Sequence, residues 1–232
     1  MINYNIPEKC THVKLDIGLS YSAPQSQKWL EYENELMVFG FEPNPECAEI
    51  INKGNIQKRH HEHGEPLNQK YIDEGRFILN NYALSNVETT EYMDFYINKK
   101  DCGTSSLFRH DEMYLGPIDK EIKVPVISLK IFFDNFPWNR FEYIDYIKID
   151  AQGSDLNILK GAGEYLTDKV VYVTAEPDGN QYFGANECNT QNIINYMESI
   201  NFMFIKHPNT TDPTFINKKF IHLKDKIYIS QY

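Results

Sequence analysis

The chain has 232 residues and a formal net charge of −10, from 23 Lys and Arg against 33 Asp and Glu. A surface this acidic argues against a nucleic-acid partner, because phosphate neutralisation needs cations. A hydrophobic fraction of 41% with 14% aromatic residues excludes an acidic disordered chain.

No apolar run approaches the ~20 residues of a membrane helix, and the opening MINYNIPEKC has no charged-then-apolar leader pattern. Cys10, Cys47, Cys102 and Cys188 are scattered without a CxxC, a pattern that suits reduced thiols rather than a disulfide framework or thiolate metal site. One cytoplasmic domain over residues 1–232 is expected, with no membrane partner and the oligomeric state left open.

In chain order, HVKLDIG (12–18) reads as a strand, 23–35 as a helix and ELMVFGFEP (35–43) as a second strand stopped by Pro43. Residues 44–55 predict a helix, with Asn44 as cap, Pro45 in the first turn and Gly54 at the end. Strands follow at 76–84, 91–98 and 121–129, then a short helix capped by Ser128. YIDYIKIDAQG (143–153) is a strand ending at Asp150, 154–166 a helix capped by Ser154, and KVVYVTAEPDGN (169–180) a strand ending at Glu176. An amphipathic helix at 190–201 precedes three closing strands, FMFIKH, TFINKKFIHL and KIYIS. This alternation predicts an α/β fold: a mostly parallel sheet of seven or more strands, an antiparallel edge hairpin, and helices on both faces.

Ligands of such sheets bind beyond the carboxyl ends of the strands. Asp16, Glu42, Asp150 and Glu176 all fall there. Glu42 closes the second strand about 25 residues after the first one ends, the place where a carboxylate accepts two hydrogen bonds from a ribose diol. The first turn, DIGLSYSAPQS, has one glycine and no GxGxxG, so no pyrophosphate cradle is evident. Asp16 ahead of that turn favours a cationic ligand. S-adenosylmethionine, with its sulfonium and ammonium, fits better than a dinucleotide.

The residues VKLDIG (13–18), VFGFEPNP (38–45), NYALSN (81–86), GTSSL (103–107), SLKIFF (128–133), YIKIDAQGSDLNILKGAG (146–163) and DPTFINKKF (212–220) resemble the FkbM-type methyltransferases of the class I, Rossmann-like S-adenosylmethionine-dependent fold. The resemblance implies that Asp16 and Gly18, with the turn residues Leu19, Ser20 and Ser22, hold the amino-acid end of the cofactor. It implies that Glu42, followed by Pro43, binds the ribose and that Asn81 to Ala83 border the adenine. Asp150 would lie at the active-site floor near the reacting methyl. Ser22 replaces a usual second glycine, Gln152 a usual acidic or small residue, and Asp155 stands for the common acid of D-x-x-G-x-E.

Methyl transfer to a hydroxyl needs positioning and removal of the acceptor proton. Asp150 and Glu176 are the catalytic candidates, and two routes are open. One is direct base catalysis. The other is a divalent cation (magnesium, manganese or calcium) held by Asp150, Glu176 and Asp178 or Asn180.

Ser105 and Ser106 belong to a long irregular stretch, 101–116, read as a lid or substrate-contacting loop that also carries Arg109 and His110. The loop after Glu176, with Asp178, Asn180, Tyr182 and Phe183, suits a sugar ring with apolar faces and polar edges. RHHEHGE (59–65) reads as a solvated loop able to take metal adventitiously. The expected activity is O-methylation of a small molecule or glycan, most simply a sugar hydroxyl. The rivals are an RNA 2′-O-methyltransferase, a non-catalytic cofactor-binding assembly protein and an NAD enzyme. Against the first, Lys148 is expected to point away from the end of its strand, and Glu176 stands where a lysine would be needed.

Overall fold

The computed structural model describes residues 4–54, 64–206 and 212–229. Its strands are β1 (His12–Ile17), β2 (Leu36–Phe41), β3 (Phe77–Asn80), β4 (Ala83–Leu84), β5 (Glu91–Asn98), β6 (Ile118–Ile127), β7 (Ile144–Ile149), β8 (Val170–Ala175), β9 (Phe202–Ile205) and β10 (Thr214–Asn217). Its helices are α1 (Pro24–Tyr32), α2 (Pro45–Lys53), α3 (Lys70–Asp73), α4 (Glu112–Leu115), α5 (Leu129–Asp134), α6 (Asp155–Lys160), α7 (Glu164–Lys169) and α8 (Thr190–Ser199).

Seven strands form one sheet in the order β3-β2-β1-β7-β8-β10-β9. The pairs β2–β3, β1–β2, β1–β7 and β7–β8 are parallel, while β8–β10 and β10–β9 are antiparallel. Strands β2, β7 and β8 are buried along their whole length, as parallel strands covered on both faces must be. One face packs Val13, Leu15, Phe39, Phe41, Ile147 and Val173 against a core that includes Phe132, Phe133 and Leu159. Phe39 alone meets Tyr4, Phe132 and Phe136 edge-on or tilted, and Trp138 stacks on Tyr165, so much of the aromatic content is core packing. The other face packs Leu36, Val38, Tyr146 and Tyr172 with Trp29 and Leu30 of α1.

Local signals set the helix ends. The Asn44 side chain accepts from Glu46 N (3.1 Å), Pro45 opens α2, and Gly54 closes it at φ 65°. Ser128 Oγ accepts from Ile131 N (3.3 Å) at the start of α5, as expected.

Four expectations need correction. The helix expected at 154–166 is two, α6 and α7, broken where Gly163 takes φ 57° and Lys130 N donates to Gly161 O (2.9 Å). Ser154 makes no cap bond there. The stretch 76–84 divides between the main sheet and a separate three-stranded sheet, β4-β6-β5. Among the described residues only two of the three closing strands form. Asn217 ends β10 by donating to Thr167 O (2.8 Å) and Val170 O (2.9 Å) while its oxygen caps the following 3-10 turn. Residues 226–229 do not extend the sheet; the buried Lys14 ammonium donates to Tyr228 O (2.6 Å). His60, His61 and His63 lie outside the described residues.

Candidate functional site

The strand order reverses between β1 and β7, and a cleft opens beyond their carboxyl ends, where open α/β sheets bind ligands. Four backbone bonds align the strand ends: Gly18 N to Phe41 O (3.1 Å), Asp150 N to Ile17 O (2.9 Å), Glu176 N to Ile149 O (3.1 Å) and Glu42 N to Asn80 O (3.1 Å). The four acids expected there share one end of the sheet. Gly18 is obligatory at its place: φ is 81°, and a Cβ would run into the Asp150 carbonyl.

The cleft has two adjoining lobes. The first, of about 220 Å³, is lined by Asp16, Gly18, Leu19, Ser20, Ser22 and Gln25, with Lys148 and Asp150 across from them and Asp101, Gly103 and Thr104 alongside. The second has about 40 Å³ of free space between Glu42, Pro43, Tyr82 and Ala83 and the loop residues Cys102, Ser105 and Leu107. Gly18, Ser20, Asp150 and Gln152 wall both lobes.

Asp16 is 1% exposed. Its Oδ2 accepts from Ser26 N (3.0 Å) and Ser26 Oγ (2.6 Å), capping α1 from outside the helix, whereas its Oδ1 has no partner. Burial pushes this carboxyl up, partly opposed by Lys148. Glu42, 5% exposed, accepts from Asn44 N (2.8 Å), and burial pushes it up to about 8. Both acids suit a cationic or polyol ligand that would draw them into the charged form.

Asp150 sits between two donors. Lys148 Nζ is 3.0 Å from Oδ2, and Gln152 Nε2 is 2.6 Å from Oδ1. Gln152 takes φ 51°, an unfavourable conformation for a residue with a side chain. Its Oε1 accepts from Tyr182 OH (2.5 Å) and its carbonyl from Ser106 Oγ (2.7 Å). Asp155, fully buried, accepts from Ala151 N (3.3 Å) and Glu176 N (3.0 Å), which ties the β7 and β8 ends together; burial pushes it up to about 8. Glu176 lies beside this group, pushed up to about 9 by burial and then by Asp150 and Asp178. A side-chain hydrogen bond joins Asp178 to Glu176, and burial raises Asp178 as well.

Several expectations change. Lys148 does not point away: it shares a sheet face with Asp150, two residues on, and both enter the cleft. Asn81 stays outside the cleft, its amide nitrogen toward the carbonyls of Glu42 (3.0 Å) and Pro43 (3.2 Å); Tyr82 and Ala83 form that wall. Ser106 is buried and ties the loop to Gln152, while Ser105 lines the second lobe. Tyr182 is 2% exposed, its hydroxyl reaching Gln152 and Thr104 O (3.1 Å), so it is a brace rather than an open platform; Phe183 is the exposed aromatic, at 60%. Asn180 is exposed and, with Glu176 and Asp178, lies outside the lobes.

Among the described residues no three His, Cys, Asp or Glu side chains are placed to hold a metal ion. Asp150, Glu176 and Asp178, one ligand set of the cation route, are not grouped for that purpose among the described residues. Both Asp150 oxygens already meet donors, and Lys148 supplies the positive charge. Sequence reasoning missed Gln25, did not single out Asp101 and Thr104 within the loop 101–116, and set Lys148 aside although its two-residue spacing from Asp150 on one strand was the available signal.

Among the described residues no helix is long and apolar enough to cross a membrane. No curated protein matches the chain significantly. The family model described as the methyltransferase FkbM domain matches residues 16–204, which include the end of β1, all of β2, β7 and β8, and every acid of the cleft. The chain therefore belongs to the FkbM methyltransferase family and is an S-adenosylmethionine-dependent methyltransferase.

Proposed function

We propose that the protein transfers a methyl group to a hydroxyl of a sugar, glycan or similar small acceptor. The observation that carries this reading is the placement of Asp16, Glu42 and Asp150 around one two-lobed cleft at the β1/β7 switch point. S-adenosylmethionine supplies a methyl on a positively charged sulfur, open to in-line displacement.

The unpartnered Asp16 Oδ1 suits the ammonium of the cofactor, and Lys148 across the same lobe suits its carboxylate. Leu19, Ser20 and Ser22 shape that end. Glu42 suits the ribose diol, with Pro43 and Ala83 walling the adenosine lobe. Asp150 is the base: each carboxylate oxygen can accept about two hydrogen bonds, and only one donor is fixed on each. General-base removal of a hydroxyl proton contributes ~10²–10⁴-fold. Glu176, held protonated by burial and its acidic neighbours, is suited to donate to the acceptor rather than to serve as base at neutral pH.

The loop after β8 is acidic and polar, with Glu176, Asp178 and Asn180, and carries the exposed Phe183. That composition supports a neutral polyol over RNA, even though the Lys148–Asp150 pair is one an RNA ribose methyltransferase could use. The test is calorimetry with S-adenosylmethionine and NAD, followed by a radiolabelled methyl-transfer screen over glycans, small phenols, peptides and RNA. Binding of S-adenosylmethionine alone and label in a glycan are expected. Binding of NAD instead, or label confined to RNA, overturns the reading.

A further inference from the structure

Two of the four cysteines meet at the edge of the cleft. Cys47 is fully buried in the first turn of α2, five residues after Glu42. Cys102, partly buried, starts the 3-10 turn Cys102–Thr104 in the loop that walls the adenosine lobe. Cys102 packs against the small buried cluster of Tyr21, Cys47 and Ile50, and a side-chain hydrogen bond joins the two cysteines. Ser20 Oγ lies 3.6 Å from Cys102 Sγ, so the cofactor-binding turn touches the pair as well. Cys10 and Cys188 are buried in a different cluster.

The location matters because the adenosine lobe is narrow. Its free space of about 40 Å³ is well below the roughly 300–1,000 Å³ of small-molecule clefts. One wall is Phe41, Glu42 and Pro43; the opposite wall is Cys102, Gly103, Ser105 and Leu107. A nucleoside enters only if these walls part. The cysteine contact spans the seam between them.

We propose that Cys47 and Cys102 are a reversible thiol–disulfide pair which, oxidised by a hydroperoxide, latches the loop over the adenosine lobe and blocks cofactor entry. Cys102 is the more exposed of the two, so its sulfur is the one the oxidant reaches. Its sulfur takes the distal oxygen of the hydroperoxide to give a sulfenic acid, and the O–O bond breaks to release an alcohol, or water when the oxidant is hydrogen peroxide. The Cys47 sulfur then attacks the sulfenic sulfur. The S–S bond forms, the S–O bond breaks, and the hydroxyl leaves as water with the Cys47 proton. Two thiols are oxidised, one peroxide is reduced, and a dithiol reductant reverses the change.

The test uses the full chain with hydrogen peroxide, then dithiothreitol. Non-reducing peptide mapping is expected to find Cys47 joined to Cys102, with the loss of two hydrogen atoms. Amide exchange across 101–107 is expected to slow, and S-adenosylmethionine affinity by calorimetry to fall at least tenfold, both recovering on reduction. Cys102→Ser removes all three responses, and Cys47→Ala gives a second variant should either fold poorly. Another pairing, direct passage of Cys102 to a sulfinic acid, unchanged exchange across 101–107, or oxidised affinity within twofold of the reduced chain overturns the proposal. The affinity arm rests on the cofactor reading above. Failure of the reduced chain to bind S-adenosylmethionine overturns that reading, while the peptide map and exchange data still decide the latch.

Discussion

Glu42→Gln tests the ribose assignment with little change of shape. In the wild type the carboxyl is 5% exposed, held by Asn44 N at 2.8 Å, and raised by burial from 4.5 to about 8. Once ionised it offers two charge-assisted hydrogen bonds to a diol, each worth ~1.5–3 kcal/mol against ~0.5–1.5 for neutral ones. The amide keeps one acceptor oxygen and loses the charge, so about 2–3 kcal/mol of cofactor affinity is lost, or roughly 30- to 150-fold in Kd above pH 8. Below about 8 the wild-type group must ionise to bind, which costs ~1.4 kcal/mol per pH unit. Wild-type affinity for S-adenosylmethionine should therefore rise about tenfold per unit from pH 6 to 8, and the Gln variant should lose that increment. Stability runs the other way. A carboxyl raised on folding favours the native state below 4.5, and that contribution is lost as pH rises through about 8. The variant should therefore melt higher than the wild type at pH 9. Isothermal calorimetry at half-unit steps from pH 6 to 9 and thermal melts at pH 6 and 9 measure both. A variant within threefold of wild-type affinity at pH 8.5, or one with an unchanged pH slope, refutes the assignment.

Asp150→Asn removes the base and should lower methyl transfer at least 100-fold at saturating cofactor, read as label transferred to whichever acceptor the screen identifies; activity within fivefold of the wild type would exclude the role. Gly18→Ala places a Cβ against the Asp150 carbonyl at φ 81°, and should cost several kcal/mol in urea unfolding and abolish cofactor binding; a variant as stable as the wild type would contradict the packing. Tyr182→Phe deletes the hydroxyl that braces Gln152 and Thr104, for a loss of about 1 kcal/mol in the same assay. Exhaustive chelation should leave turnover unchanged, because both Asp150 oxygens already face Lys148 and Gln152; loss of activity restored by magnesium, manganese or calcium would reverse that conclusion.

The amino-acid sequence by itself determined the parallel strands, because both-side burial writes continuous apolar runs such as VVYVTA and YIKI. It determined the acids at their ends, because Glu42, Asp150 and Glu176 each follow such a run directly and Asp16 is the last residue but one of β1. Caps were legible where one side chain acts on its own helix, as Asn44 and Ser128 do. The tertiary structure alone decided what depends on neighbours distant in sequence. A strand predicted at 226–230 lost its carbonyl to the buried Lys14, and Tyr182 turned from a sugar platform into a brace because its hydroxyl finds Gln152. Of the two routes left open for Asp150, the placement of the Lys148 ammonium by β7 on the same face supports the direct-base one. Cys47 and Cys102, 55 residues apart and unrelated by any motif, became neighbours only when α2 and the loop after β5 closed on the same lobe. Local hydrogen bonding and periodicity are encoded within a few residues of one another, whereas contacts across the cleft exist only after the sheet has brought its strand ends into line.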